Sequence, residues 1–316
     1  MSESENNPKN SPSRLLIYKV GNIASALICV LLCAISTLFF YDIEPGYFTS
    51  HTIPKLLYVA ITISAIFALS VFCVFKKGIR LTSPLSKSAT PALSIIPACA
   101  FIYFVISSVT NLFGASGSNS LHLIQVVLSL AAFLFFFIHG TDAPVNNNVK
   151  AVFAILASLA PITIVLISYF DYKSLMNGPD NVLLQFAAAI FSLYIINEIR
   201  FIFNKSYPRL YIATSTLSTT LSMTCATCQI AIFAQSSKSI TPYKLAIAVL
   251  FILLGIYTSA RLIKITIDDS EADTPNTVEN EAAESDLDCT QGTAEQAIAD
   301  SPIEADDTTT DENINP

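Results

Sequence analysis

Residues 120–139 read SLHLIQVVLSLAAFLFFFIH, twenty consecutive positions without an Asp, Glu, Lys or Arg. The apolar residues run on continuously, without the alternation that marks a barrel strand. At 1.5 Å per residue a helix of this length rises about 30 Å, which matches the hydrocarbon core of a bilayer. Seven further runs have the same character, at about 17–41, 55–75, 92–113, 150–170, 181–203, 208–234 and 243–265. The pattern predicts an all-α fold, a polytopic transmembrane bundle of eight spanning helices over residues 15–265. The first run follows Arg14 and Lys19 and could be read as a secretory signal. Its apolar stretch exceeds an h-region of 7–15 residues, and no small-x-small site follows Tyr41, so it reads as a retained helix. Pro97 and Pro161 fall inside the third and fifth runs. Each removes one backbone donor and is expected to kink its helix.

Composition agrees. Of 316 residues, 53% are hydrophobic and 13% charged, against about 45–50% and about 25% in soluble domains. A soluble enzyme and a nucleic-acid binder are excluded, and the first partner implied is the lipid bilayer itself. The net charge of −7 divides into opposite parts. Residues 266–316 hold 16 of the 24 acids and no Lys or Arg; residues 1–265 hold all 17 basic residues and 8 acids, so the body is +9 and the tail −16. The tail has no aromatics and too little apolar surface to offset ordering entropy, so 266–316 reads as a disordered acidic tail. Residues 1–14, MSESENNPKNSPSR, read as a disordered polar arm for the same reason. Ending the chain after Lys264 is therefore expected to leave the bundle folded.

Lys and Arg are distributed unevenly. With the N-terminus inside, 13 fall on the inner side and 4 (Lys55, Lys173, Lys238, Lys244) on the outer side. The positive-inside rule then gives a protein integral to the plasma (cytoplasmic) membrane, multi-pass, with both termini cytoplasmic. Runs two to three and six to seven share a loose pattern of apolar helix, basic stretch and proline. A four-plus-four repeat built that way would be parallel, since each half has an even number of helices.

Among the acids, Glu198 alone lies inside an expected span, in IINEIRF near the inner end of the sixth run. An ionisable group at membrane depth is a functional-site candidate and needs a partner. Arg209 on the next helix, or Lys76 and Lys77, could supply one. Arg200 stands two positions away, so it points elsewhere and can snorkel to the headgroups. The plainer role for Glu198 is a structural ion pair near the interface. The seventh run is rich in hydroxyls, and Thr216, Thr220, Thr224 and Thr227 share one face by their 4-4-3 spacing. Such a stripe can line a polar path, but it more commonly permits close helix approach and bonds back to the preceding turn. The candidate intramembrane polar site is thus Asn197, Glu198, Arg209, Thr216, Thr220 and Thr224.

Cys225-Ala-Thr-Cys228 spells C-x-x-C, but within a membrane helix, and Cys29 and Cys33 lie one turn apart on another. They read as small apolar packers. His51, His122 and His139 are scattered, and no catalytic, metal-ligand or nucleotide motif is present. His122, Gln125 and Asn111 could form a polar mouth, or simply solvate the turn between the third and fourth helices. No catalytic residue, metal or cofactor is expected, and no nucleic acid. The leading expectation is a non-enzymatic sensing, scaffolding or regulatory membrane component that offers residues 266–316 to a basic cytoplasmic or membrane protein partner. A transporter or permease for a small neutral or weakly polar solute comes second, and a lipid-modifying enzyme third.

Overall fold

The computed structural model describes residues 11–42, 46–49, 51–75, 80–82, 90–114, 119–141, 143–170, 178–202, 207–235 and 242–268. Each expected span is a helix: α1 (Ser11–Phe40), α2 (Thr52–Val74), α3 (Thr90–Gly114), α4 (Asn119–Gly140), α5 (Asn147–Phe170), α6 (Pro179–Ile202), α7 (Pro208–Gln235) and α8 (Pro242–Lys264). All eight are long and apolar enough to cross a membrane. Proline marks where several begin, because its missing N–H is one a helix cannot use in its first turn anyway. Pro179, Pro208 and Pro242 are the first residues of α6, α7 and α8. Ser11-Pro12 opens α1 in the same way, so Ser11–Arg14 belong to that helix and not to a disordered arm. Arg14 Nη1 then donates to the Val74 carbonyl at the end of α2, 3.1 Å away. The helices run through Pro97 and Pro161 without ending.

Helices α3 to α8 close into a ring, each packed on the next and α8 returning to α3, while α1 and α2 dock on the outer face of α7. The grouping is therefore six and two, not four and four. Ring interiors are usually filled, and this one is filled by aromatic and small side chains. Phe101, Phe104, Phe136, Ala157, Phe191 and Phe251 are among its buried members, and Phe101 stacks on Phe136 with centroids 5.8 Å apart. Gly21 of α1 sits directly against the ring of Phe67 on α2, so a Cβ there would have no room.

Polarity is inverted relative to a soluble protein. α7 is the least apolar of the eight spans and the most buried. Leu16, Ile17, Val20, Ile23, Leu27 and Leu31, by contrast, form an exposed stripe at helical spacing on α1. An apolar face of that extent is stable only in an apolar solvent.

Two short antiparallel ribbons depart from the all-α expectation. β1 (Tyr41–Asp42) and β2 (Tyr47–Phe48) join α1 to α2 through Gly46, whose φ of 69° suits glycine. β3 (Arg80–Thr82) pairs with β4 (Thr266–Asp268) in the register Leu81↔Ile267. The acidic segment therefore does not begin as a disordered tail at residue 266. Residues 266–268 are a strand, and 269–316, like 1–10, lie outside the described residues. Ile265 is fully buried, and its carbonyl accepts a hydrogen bond from Lys19 Nζ at 2.6 Å.

This junction revises the expected effect of truncation. A chain ended at Asp268 should match the full chain in detergent melting. Ending it at Lys264 removes a buried isoleucine, an interhelical hydrogen bond and one ribbon strand, and should cost about 2–3 kcal/mol for the side chain alone. Equal melting of the two truncations would show that β4 does not hold the bundle.

Candidate functional site

The site grows from one carboxylate. α6 places Tyr194 and Glu198 four residues apart, hence on one face; α8 does the same with Tyr257 and Arg261, and α7 brings Tyr211 between them. All five side chains are at most 2% exposed. Glu198 Oε1 accepts from Arg261 Nε at 3.0 Å and also from Arg261 Nη2. The Tyr257 hydroxyl stands 3.4 Å from the same oxygen. Oε2 accepts from the Tyr211 hydroxyl at 2.5 Å and from the Tyr194 hydroxyl at 3.1 Å. Both oxygens are thus saturated by charged or hydroxyl donors, the condition under which a buried ion pair is tolerated. Arg261 Nη1 is buried with no acceptor among the described residues. Phe201 covers the guanidinium at 5.8 Å from its ring centroid.

Sequence reasoning singled out Glu198 but counted Arg261 among the surface cations of the inner side. The cation that meets Glu198 is Arg261, and it is interior. The signal available was its spacing: Tyr257 stands four positions before Arg261, as Tyr194 does before Glu198. Arg209 sits half-buried on the first turn of α7, and Lys76 and Lys77 lie outside the described residues. Asn197 is buried and donates from Nδ2 to Thr214 Oγ1 at 3.2 Å, tying α6 to α7 beside the ion pair. Arg200 is exposed and lies 5.1 Å from the Tyr207 ring centroid, as a snorkelling cation would.

The threonines serve packing. Thr216 Oγ1 donates to the Ile212 carbonyl at 2.9 Å, and Thr224 Oγ1 to the Thr220 carbonyl at 2.7 Å. Thr220 instead meets Ser25 of α1 at 3.1 Å. These residues do not converge on Glu198; they satisfy themselves on their own helix or on its neighbour. The thiols share that interface. Cys33 Sγ lies 3.4 Å from the Thr224 carbonyl, and Thr37 Oγ1 lies 3.8 Å from Cys228 Sγ. Among the described residues no group of three or more His, Cys, Asp or Glu could hold a metal ion.

A second polar cluster lies near the opposite end of the ring, between α3, α4 and α8. Gln125 is fully buried and donates from Nε2 to the Tyr243 hydroxyl at 2.6 Å; His122 meets the Tyr243 ring edge-on at 5.9 Å. These side chains therefore do more than solvate a turn. Gln125 Oε1, His122 Nδ1, Ser108 Oγ and Ser129 Oγ are buried with no partner among the described residues. Ser108 and Ser129 stand level with each other, seven residues from the stacked Phe101 and Phe136 on antiparallel helices. Compared with protein-family models, curated proteins and solved structures, the chain matches none. Function is read from geometry alone.

Removing one member of a buried ion pair leaves the other uncompensated. Glu198→Gln or Arg261→Gln should each lower stability by about 3–5 kcal/mol in detergent melting. The joint replacement Glu198→Leu/Arg261→Met should recover much of the loss, because apolar residues of similar volume remove the desolvation cost of both ions. Tyr211→Phe should cost about 1.5–3 kcal/mol, as a hydrogen bond to a charged group is lost. Wild-type melting for Glu198→Gln would show that the pair holds nothing together.

Proposed function

We propose that the chain is a non-enzymatic sensing, scaffolding or regulatory component of the plasma (cytoplasmic) membrane. Both termini are cytoplasmic in this reading, and the segment after Asp268 is the docking element for a basic partner. The observation that supports it most is the course of α8. Between Arg261 and Asp268 the chain passes from the buried ion pair, through Leu262 and Ile265, both fully buried, into β4. β4 pairs with the connection between α2 and α3, and Lys19 of α1 holds Ile265. Arg261, the partner of Glu198, is thus only seven residues in sequence from Asp268, after which the acidic segment begins. The orientation rests on the 13-to-4 bias of basic residues. With Arg261 taken into the core the bias becomes 12 to 4, which leaves the assignment unchanged.

The saturated carboxylate favours this reading over catalysis. A general acid or base must reach substrate, and both Glu198 oxygens are already occupied. A coupling carboxylate of a transporter would also sit nearer mid-depth, whereas Glu198 is four residues from the end of α6.

A transporter for a small neutral solute remains the second reading, and the α3/α4/α8 cluster favours it. Four buried polar atoms without a partner among the described residues are suited to a ligand or water that completes their hydrogen bonds. The aromatic layer of Phe101 and Phe136 would then separate that cluster from the ion pair.

The test is crosslinked affinity purification from native membranes, with the full chain and with the chain ended at Asp268. A stoichiometric partner with a basic surface, recovered by the full chain and lost with the truncation, is expected. Equal recovery by both would move the contact to the helices. No partner with either, together with uptake of a neutral solute by reconstituted vesicles, would favour the transporter.

A further inference from the structure

Between α4, α5 and α6, at the end of the bundle that carries the ion pair, lies a shallow surface recess. Its lining is graded. Phe135, Phe153 and Ala154 form the part nearer the centre of the helices, Ile138 and Ile199 flank it, and His139 and Lys150 complete the wall. His139 is the penultimate residue of α4 and Lys150 is in the first turn of α5, so both cationic or potentially cationic groups stand at the depth where spanning helices end. Lys150 is half-buried, and its ammonium makes no hydrogen bond or ion pair with another described residue. His139 stacks on Phe135 with an interplanar angle of 6°, which fixes its ring along the wall.

We infer that this recess is a binding site for an anionic phospholipid of the surrounding bilayer. The phosphate would lie against Lys150 and His139, and the first methylenes of an acyl chain against Phe135, Phe153 and Ala154. Three features favour a lipid over a free anion. The lining is apolar except for the two basic side chains. The gradient from cation at the helix ends to apolar wall one turn deeper repeats the polarity of a phospholipid. Basic pockets between spanning helices are also a recurrent way of holding anionic headgroups. Lys19, Arg200, Arg209 and Lys264 lie towards the same end of their helices. Ile199 belongs to the recess and is the immediate neighbour of Glu198, so an occupied recess buttresses α6 next to the ion pair.

The experiment is native mass spectrometry of the full chain released from detergent. It is titrated with phosphatidylglycerol or with phosphatidylcholine of the same acyl chains, with and without inorganic phosphate. The first phosphatidylglycerol should bind the wild type more tightly than phosphatidylcholine does. Lys150→Gln should weaken phosphatidylglycerol about five-fold, the loss expected for one cation near an anionic headgroup, and phosphatidylcholine by less, because choline offsets the charge of its phosphate. Lys150→Arg should restore it. The side chain is half-exposed and unpaired, and unchanged melting of the variants confirms that folding is intact. Equal binding of the two lipids by wild type, or no effect of Lys150→Gln, would overturn the site. Displacement of phosphatidylglycerol by inorganic phosphate would make it a free-anion site and overturn the lipid assignment.

Discussion

A carboxylate enters the interior of this bundle only with its counter-charge and its hydrogen-bond donors. Taking an ion out of water costs several kcal/mol even after the surroundings relax. Glu198 therefore dictates geometry to three helices at once: α6 must bring Tyr194 with it, α7 must present Tyr211, and α8 must present Tyr257 and Arg261 at the same level. A slip of one residue in any of the three rotates its side chain by about 100° and leaves part of the charge bare. Apolar contacts between spanning helices do not discriminate registers so sharply, because lipid tails are as apolar as leucine. One polar cluster thus fixes a register that the remaining contacts merely fill.

α7 shows the complementary solution to the same constraint. A helix with this many hydroxyls is poorly suited to face lipid, and it is placed where four other helices cover it. Most of its hydroxyls are satisfied within the helix itself, while Ser218 Oγ and Ser222 Oγ are buried with no partner among the described residues. Ser215, Thr216, Thr219 and Thr224 each donate to the carbonyl four residues earlier. The small side chains then let α1 and α8 approach closely enough for Ser25 to meet Thr220 and for Thr258 to meet Thr219. Where α6 joins by charge, α1 joins by shape.

The spans were legible because a bilayer imposes a length, and length survives in sequence without any neighbour. Glu198 was legible as a lone acid in an apolar run. Its partner was not, because Arg261 stands three residues from the end of α8 and resembles any interfacial cation; only the fold shows that Glu198 and Phe201 of α6 and Tyr211 of α7 surround it. The order of helices around the ring was illegible for a related reason, since a leucine facing lipid and a leucine facing the core look alike. β4 left no trace either. Thr266-Ile267-Asp268 is too short for a periodic signal and opens an acidic stretch, and it becomes a strand because β3 lies beside it.

The two polar clusters differ in a way that bears on how the bundle works. At the ion pair every oxygen of the acid is occupied, and the cluster serves as a fixed point. At the α3/α4/α8 cluster several buried atoms have no partner among the described residues, and each such atom costs about 1–3 kcal/mol unless something else bonds it. α8 belongs to both. Tyr243 in its first turn receives the Gln125 amide, and Arg261 in its last turn holds Glu198. α8 spans 23 residues and continues through Ile265 into β4. In the proposed readings, an occupant at Tyr243 would touch the same helix that carries Arg261. The two proposed readings, sensing and solute binding, therefore need not exclude each other, because one helix carries Tyr243 of the one cluster and Arg261 of the other.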